Sequence, residues 1–103
     1  MERRVDGGFV AASIRLPESG DEVVLLDPDR RPEGVEAWHP FRNILRLGAD
    51  GEVRWRAELL PHETTAKCWT GLRLDGALRA TTYSWVCELD PDSGRIVSSE
   101  FTK

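Results

Sequence analysis

Val53-Arg54-Trp55-Arg56-Ala57-Glu58-Leu59 is the stretch of this sequence that decides the fold. Apolar and charged residues alternate along it, and the apolar set is Val53, Trp55, Ala57 and Leu59. This period of two predicts a β-strand that turns the apolar set toward a core and the charged residues toward water.

Glycine-containing turns separate this strand from similar short segments and predict three hairpins. Asp50-Gly51, Asp75-Gly76 and Ser93-Gly94 each lie between two apolar-rich runs, and glycine accepts the positive φ that tight turns require. The predicted hairpin limbs are 44–47 with 53–59, 71–74 with 77–82, and 83–89 with 95–101.

The N-terminal part predicts two more strands. Residues 8–16 alternate, and the continuous apolar run at 23–26 is typical of a strand that is covered on both faces. Together these segments predict an all-β fold, an antiparallel meander of about eight short strands that forms a two-sheet sandwich or a partly open barrel. We expect residues 1–103 to form one domain, because the chain is too short for two.

The third hairpin resembles the blade repeat of quinoprotein-type β-propellers, in which a strand ends in Leu-Asp, turns through Gly and resumes with apolar residues. The matching stretch runs from Leu89 to Val97, and residues 44–53 repeat it faintly. The chain departs from that family because it holds at most two blades, whereas a closed propeller needs four or more. The C-terminal part also resembles small uncharacterised bacterial proteins that end in Phe-x-Lys. These resemblances imply the hairpin geometry and no cofactor or activity.

Charge is unevenly distributed along the chain. The net charge is −4, and residues 1–41 hold nine acidic and five basic residues. This acidic part disfavours nucleic-acid binding and suits a basic partner. We expect no membrane segment, because no apolar run approaches the ~18 residues that span a bilayer. The N-terminus lacks the pattern of a secretory signal, and Arg greatly outnumbers Lys, so we expect a cytoplasmic protein from a GC-rich bacterial genome.

Two patterns resemble metal sites, yet both have simpler explanations. Cys68, Cys87, His39 and His62 are zinc-ligand types, but structural zinc sites use close pairs such as Cys-x₂-Cys, and no two of these residues lie so close. We expect two reduced strand cysteines instead, with one cross-strand disulfide as the alternative. Residues 90–94 alternate oxygen ligands as a calcium loop does, but a turn with Asp side chains bonded to local N–H groups explains them. We therefore predict no metal and no cofactor.

The sequence also lacks the arrangement of a catalytic centre. No Gly-x-Ser-x-Gly elbow or phosphate-binding loop occurs. The one nearby nucleophile pair is Cys68 with His62, where Lys67 could lower the pKa of the thiol. We predict that the protein is not an enzyme.

Arginines are frequent on the predicted strands. If those strands are neighbours, an Arg-rich face results, and we expect cross-strand ion pairs with Glu52, Glu58, Glu63 and Asp75 rather than a nucleic-acid platform. The arginines in question are Arg42, Arg46, Arg54, Arg56, Arg73 and Arg79.

Aromatic residues outnumber what a small core requires, and part of this set is a candidate partner-binding surface, because Trp commonly anchors interfaces. The alternative is that these side chains plug the open end of a β-sandwich. The candidate residues are Trp38, His39, Phe41, Trp69, Tyr83 and Trp85. The function we predict is a non-catalytic protein-binding module, such as an inhibitor or immunity-type protein, and the alternative is a small-molecule or nucleic-acid binding β-domain. Unpaired sheet edges make a homodimer a further expectation.

Overall fold

The computed structural model describes residues 2–30, 32–34, 41–60, 68–82 and 85–101. Every regular element among these residues is a β-strand, and the fold is all-β, as the two-residue periodicity predicts. The one strand that the pattern missed is the shortest, β1. The strands are β1 (Arg4–Val5), β2 (Gly8–Arg15), β3 (Glu22–Leu26), β4 (Ile44–Leu47), β5 (Val53–Arg56), β6 (Gly71–Leu74), β7 (Leu78–Thr82), β8 (Trp85–Leu89) and β9 (Ile96–Phe101).

The strands form two antiparallel sheets that follow the chain order. β1 to β5 make a five-stranded sheet and β6 to β9 a four-stranded sheet, and each described strand pairs with its neighbours in sequence within its sheet. One of the two sheets is curled into a half-barrel. The three predicted hairpins are β4–β5, β6–β7 and β8–β9, so the glycine turns were correctly identified.

Strand β3 contributes to two hydrophobic clusters. Val23 and Leu25 belong to a larger cluster that joins the sheets, together with Leu78 and Leu89 of the second sheet. Val24 and Leu26 belong to a smaller cluster with Phe41, Leu45, Leu47 and Cys68. The prediction that this apolar run is covered on both faces is thereby confirmed, since Val23 to Leu26 are all buried.

The sequence placed Val53 on the core face of β5, and this prediction is wrong. Trp55 and Ala57 are buried, but Val53 is 39% exposed. The reason is a register shift: Trp55 pairs with Arg46, whereas Val53 pairs with Leu47, so Arg54 has no partner directly opposite. A bulge of this kind breaks the alternation of side chains, and Val53 is turned toward solvent.

Asn43 connects the first sheet to the segment that leads into the second. Its buried amide donates hydrogen bonds to the carbonyl oxygens of Leu26 (2.9 Å) and Trp69 (2.8 Å), and its Oδ1 accepts one from the Trp69 N–H (2.7 Å). Thr82 adds a similar contact, because its buried hydroxyl donates to the Cys68 carbonyl at 2.7 Å. Both polar side chains are fully satisfied, which is the condition under which burying them stabilises a fold.

Candidate binding groove

Three turns meet at one end of the two sheets and enclose a groove of about 370 Å³. The β2–β3 turn supplies residues 16–19, the β6–β7 turn supplies 74 and 76–78, and the β8–β9 hairpin supplies 88, 89, 91 and 92. Arg46 of β4 also lines the groove. Because the walls come from both sheets, the groove exists only when the sheets are packed together.

Arg46 is held in place by partners on two sides. Its Nε donates to Asp21 Oδ2 at 2.9 Å, its Nη1 to the Pro91 carbonyl at 2.5 Å and its Nη2 to Ser19 Oγ at 3.2 Å. The side chains of Arg46 and Asp21 are each only 14% exposed. The guanidinium therefore connects the β2–β3 turn to the β8–β9 turn, and Asp21 offsets its charge.

The β8–β9 turn is fixed by its own bonds and by the first sheet. The carboxylate of Asp90 accepts the N–H of Asp92 at 2.9 Å, which is the local bonding that the sequence predicted for this turn. The indole Nε1 of Trp55 donates to the Pro91 carbonyl at 2.8 Å. Arg46 and Trp55 of the first sheet thus bind one carbonyl of the turn and tie this wall of the groove to that sheet.

The rim of the groove is acidic and its walls are largely apolar. Glu18, Glu88 and Asp92 line it, and the one basic residue in the lining, Arg46, is paired with Asp21 at 2.9 Å and with Asp92 at 3.8 Å. Leucines at 16, 74, 78 and 89 supply the apolar surface, and Leu74 is 42% exposed. Such a groove suits a cation carried on an aliphatic stem, as in the side chains of Arg and Lys.

The family model of a domain of unknown function (DUF7957) matches residues 16–101. The chain belongs to this family. The match begins at Leu16 and so includes every residue that lines the groove. No curated protein and no solved structure has significant similarity to the chain. Among the described residues of this DUF7957 domain, no helix is long and apolar enough to cross a membrane.

Of the residues predicted to bind a partner, the three that the structure describes, Phe41, Trp69 and Trp85, do not line the groove. Phe41 is nearly buried and Trp69 is fully buried, so both lie in the core. Trp85 is half-buried and meets Phe101 edge to face, with ring centroids 5.4 Å apart. Trp38, His39 and Tyr83 lie outside the described residues. The sequence identified two turns of the groove, Asp75-Gly76 and Ser93-Gly94, but nothing in it indicated that they meet.

The arginines of the predicted face are divided between the two sheets. Arg46 reaches across to the β8–β9 turn, as described above, but the others near the first sheet bind acceptors on that sheet: Arg54 lies 3.9 Å from both Asp21 and Asp50, Arg56 pairs with Asp6, and Arg42 donates to the carbonyl oxygens of residues 56 and 57. Ion pairs do form, but with aspartates in place of the expected residues. Glu58 instead accepts the backbone N–H of Ile96 at 2.6 Å, and Glu63 lies outside the described residues.

Cys68 and Cys87 are buried in different clusters. Burial raises the pKa of the Cys87 thiol from 9.0 to about 11, so the thiolate is scarce at neutral pH. The histidines of the zinc and catalytic hypotheses, His39 and His62, lie outside the described residues, as does Lys67. Within the described ranges, no group of three or more His, Cys, Asp and Glu residues is placed to hold a metal ion.

Proposed function

We propose that this DUF7957 domain is a non-catalytic protein-binding module and that its groove takes a basic, extended segment of a partner protein. The observation that carries this proposal is the acidic rim of Glu18, Glu88 and Asp92 around apolar walls. Arg46 pairs with Asp21 at 2.9 Å and with Asp92 at 3.8 Å, and it is the one basic residue of the lining, so Glu18 and Glu88 leave the groove with net negative charge. Complementary charge favours association with a basic ligand and disfavours nucleic acid.

The polar groups of the groove support binding rather than chemistry. Ser19 supplies the hydroxyl in the lining, and its Oγ accepts hydrogen bonds from Arg46 and from the Asp21 N–H at 3.1 Å. A nucleophilic serine needs a base within hydrogen-bond reach, and the described partners of Ser19 are donors. Cys87, the thiol with a raised pKa, is buried in the core and does not line the groove.

A short basic peptide tests this proposal directly. We expect acetyl-Arg-Leu-Arg-amide to shift the backbone amide NMR signals of residues 16, 18, 19, 74–78, 88–90 and 92, and to do so less as salt is added. Acetyl-Glu-Leu-Glu-amide, of the same length, should leave these signals in place. Equal shifts with both peptides, or shifts confined to other surfaces, would contradict the proposal.

Two matched double variants distinguish the effect of the groove's acidic residues from the effect of net charge on peptide binding. Glu18→Gln with Asp92→Asn removes two exposed acids of the rim, and Asp29→Asn with Glu33→Gln removes two exposed acids that do not line the groove. Both pairs change the net charge equally. We expect the first pair to weaken binding of the basic peptide about tenfold and the second to change it less than twofold, in the range typical of rim charges.

A small cationic molecule is the second candidate ligand, because about 370 Å³ falls in the range of small-molecule pockets, about 300–1,000 Å³. The probe is arginine methyl ester in the same NMR experiment. Binding as tight as that of the tripeptide would favour the small molecule, whereas much weaker binding would favour the protein partner. An inhibitor or immunity-type role requires the protein-partner outcome, and a toxin-like neighbouring gene would support it.

A further inference from the structure

Three of the four sheet edges are protected against pairing with another strand. β1 is only two residues long, and β5 carries Arg54 and Arg56. β6 packs beside β2 and β3. Short edge strands, charged edge strands and covered edge strands are the usual ways in which proteins avoid edge-to-edge association.

The fourth edge, β9, is open. It has six residues and a single charged one, Glu100, and all of them except Ile96 are exposed. The N–H of Ile96 is bound by Glu58, and Val97 lies at a register shift with no residue directly opposite it in β8. Residues 98–101 pair with β8, and no further partner of the backbone from 97 to 101 is described. Val97 and Phe101 are 60% and 56% exposed, the two highest values among the large apolar residues described.

We propose that β9 pairs with β9 of a second copy of this chain, antiparallel, with the two-fold axis through Ser99. In an antiparallel pair centred there, each residue faces the one equally distant from the axis. Val97 then faces Phe101 of the second copy, so the two most exposed apolar side chains cover each other. Glu100 faces Ser98, and no like charges are opposed.

Pairing about an axis through either neighbouring residue would be less favourable than pairing about Ser99. An axis through Glu100 would place two carboxylates directly opposite each other, which is destabilising. An axis through Ser98 would place Val97 opposite Ser99 and leave it without an apolar partner. Only the Ser99 axis pairs both exposed apolar residues and separates the charges. The inference does not depend on the groove or on the proposed function.

The test uses the full chain and two lysine variants of equal composition. By analytical ultracentrifugation up to about 1 mM, a range that detects even weak association, we expect a species of twice the 11.6 kDa chain mass. Ser99→Lys opposes two ammonium groups at the axis and should raise the dimer dissociation constant about fivefold or more at low salt. Ser98→Lys faces Glu100 of the second copy and should leave the dimer intact or strengthen it.

Cysteine cross-linking checks the register independently of affinity. Ser99→Cys places two thiols opposite each other near the separation that a disulfide spans, and mild oxidation should give a covalent dimer. Ser98→Cys is the matched control and should remain largely monomeric, since Cys68 and Cys87 are buried. A wild-type chain that stays monomeric, equal weakening by both lysines, or equal cross-linking by both cysteines would each overturn the proposal.

Discussion

The indole ring of Trp55 lies directly against the backbone of Gly94. A β-carbon built on Gly94 would fall 2.6 Å from Cδ2 of Trp55 and closer still to Cε3, and Gly94 has a φ of +76°. The Gly94 carbonyl also accepts the N–H of Glu58 at 3.2 Å. This contact brings the β8–β9 turn onto the first sheet, so Gly94 is required both for its φ and for its lack of a side chain.

Gly94→Ala is expected to destabilise the fold by about 3 kcal/mol. Roughly 1 kcal/mol comes from a left-handed φ at a non-glycine residue, and the rest from displacement of Trp55. Gly76→Ala is the matched control, because Gly76 has a φ of +68° and open space around it. It should cost only about 1 kcal/mol. Urea unfolding of both variants measures the difference, and equal losses would show that the Trp55 contact contributes little.

Asn43→Ala is expected to cost about 3 kcal/mol in the free energy of unfolding. The substitution leaves two buried carbonyl oxygens and the Trp69 N–H without their side-chain partner. Thr70→Val serves as the control, since Thr70 is exposed and its hydroxyl donates to the Thr81 carbonyl at 3.2 Å. This variant should lose no more than about 0.5 kcal/mol in the free energy of unfolding. A similar loss for both variants in denaturant titrations would refute the structural role of Asn43.

Arg46→Lys is expected to loosen the β8–β9 turn while keeping the positive charge. A lysine cannot reproduce the planar fork that reaches Asp21, Ser19 and the Pro91 carbonyl together. Hydrogen exchange at the amides of residues 92–94 should become faster, and stability should fall by about 1 kcal/mol. Arg54→Lys is the comparison, because Arg54 is half exposed and 3.9 Å from its partners. Unchanged exchange in Arg46→Lys would contradict the proposed anchoring.

Cys87 should resist thiol reagents in the native protein. Its folded pKa of about 11 leaves little thiolate at pH 8, and its side chain is buried. Because the folded pKa is above the unfolded value of 9.0, the thiol stabilises the fold below pH 9, and this contribution is lost as the pH rises toward 11. Mass spectrometry after alkylation, with and without denaturant, measures the protection. Rapid labelling of Cys87 in the folded state would disprove it.

The Arg3–Glu22 ion pair should make stability depend on pH in the acid range. Two hydrogen bonds from the Arg3 guanidinium, at 2.6 and 2.7 Å, lower the pKa of the Glu22 carboxyl below its usual 4.5. A lowered folded pKa gives stability that is present above pH 4.5 and is lost as the pH falls through the folded value. Arg3 is half exposed, so the contribution is below about 1 kcal/mol.

A double-mutant cycle isolates this pair. Glu22→Gln and Arg3→Met should each flatten the acid limb of a plot of stability against pH, and the double variant should flatten it no further than Glu22→Gln alone. Additive effects would show that the two side chains act independently.

The strands and hairpins were predictable because they depend on local chemistry. Alternating side chains and glycines at positive φ act within a few residues, and both were visible in β4–β5 and β8–β9. The exposure of Val53 was not predictable, because a bulge depends on the register with β4. The groove was not predictable either, because Asp92 approaches Arg46 only after the two sheets have packed.

The aromatic residues show the same division between local and long-range effects. The sequence left open whether they cover a core or a partner. Burial decided the matter for Trp69 and Phe41, which support the clusters from within. No local pattern separates these residues from Trp85, because burial depends on which segments of the chain cover each ring.

The consecutive pairing of strands within each sheet has a consequence for how the chain reaches this structure. Apart from the longer passages between β3 and β4 and between β5 and β6, each described strand finds its partner through a short turn, so the cost in chain entropy of closing those loops is small. The two sheets can form separately and then associate through the larger hydrophobic cluster, which contains Trp55 and Leu89. An all-β protein so arranged has a low contact order for its class, and we expect it to fold faster than Greek-key sandwiches of the same length.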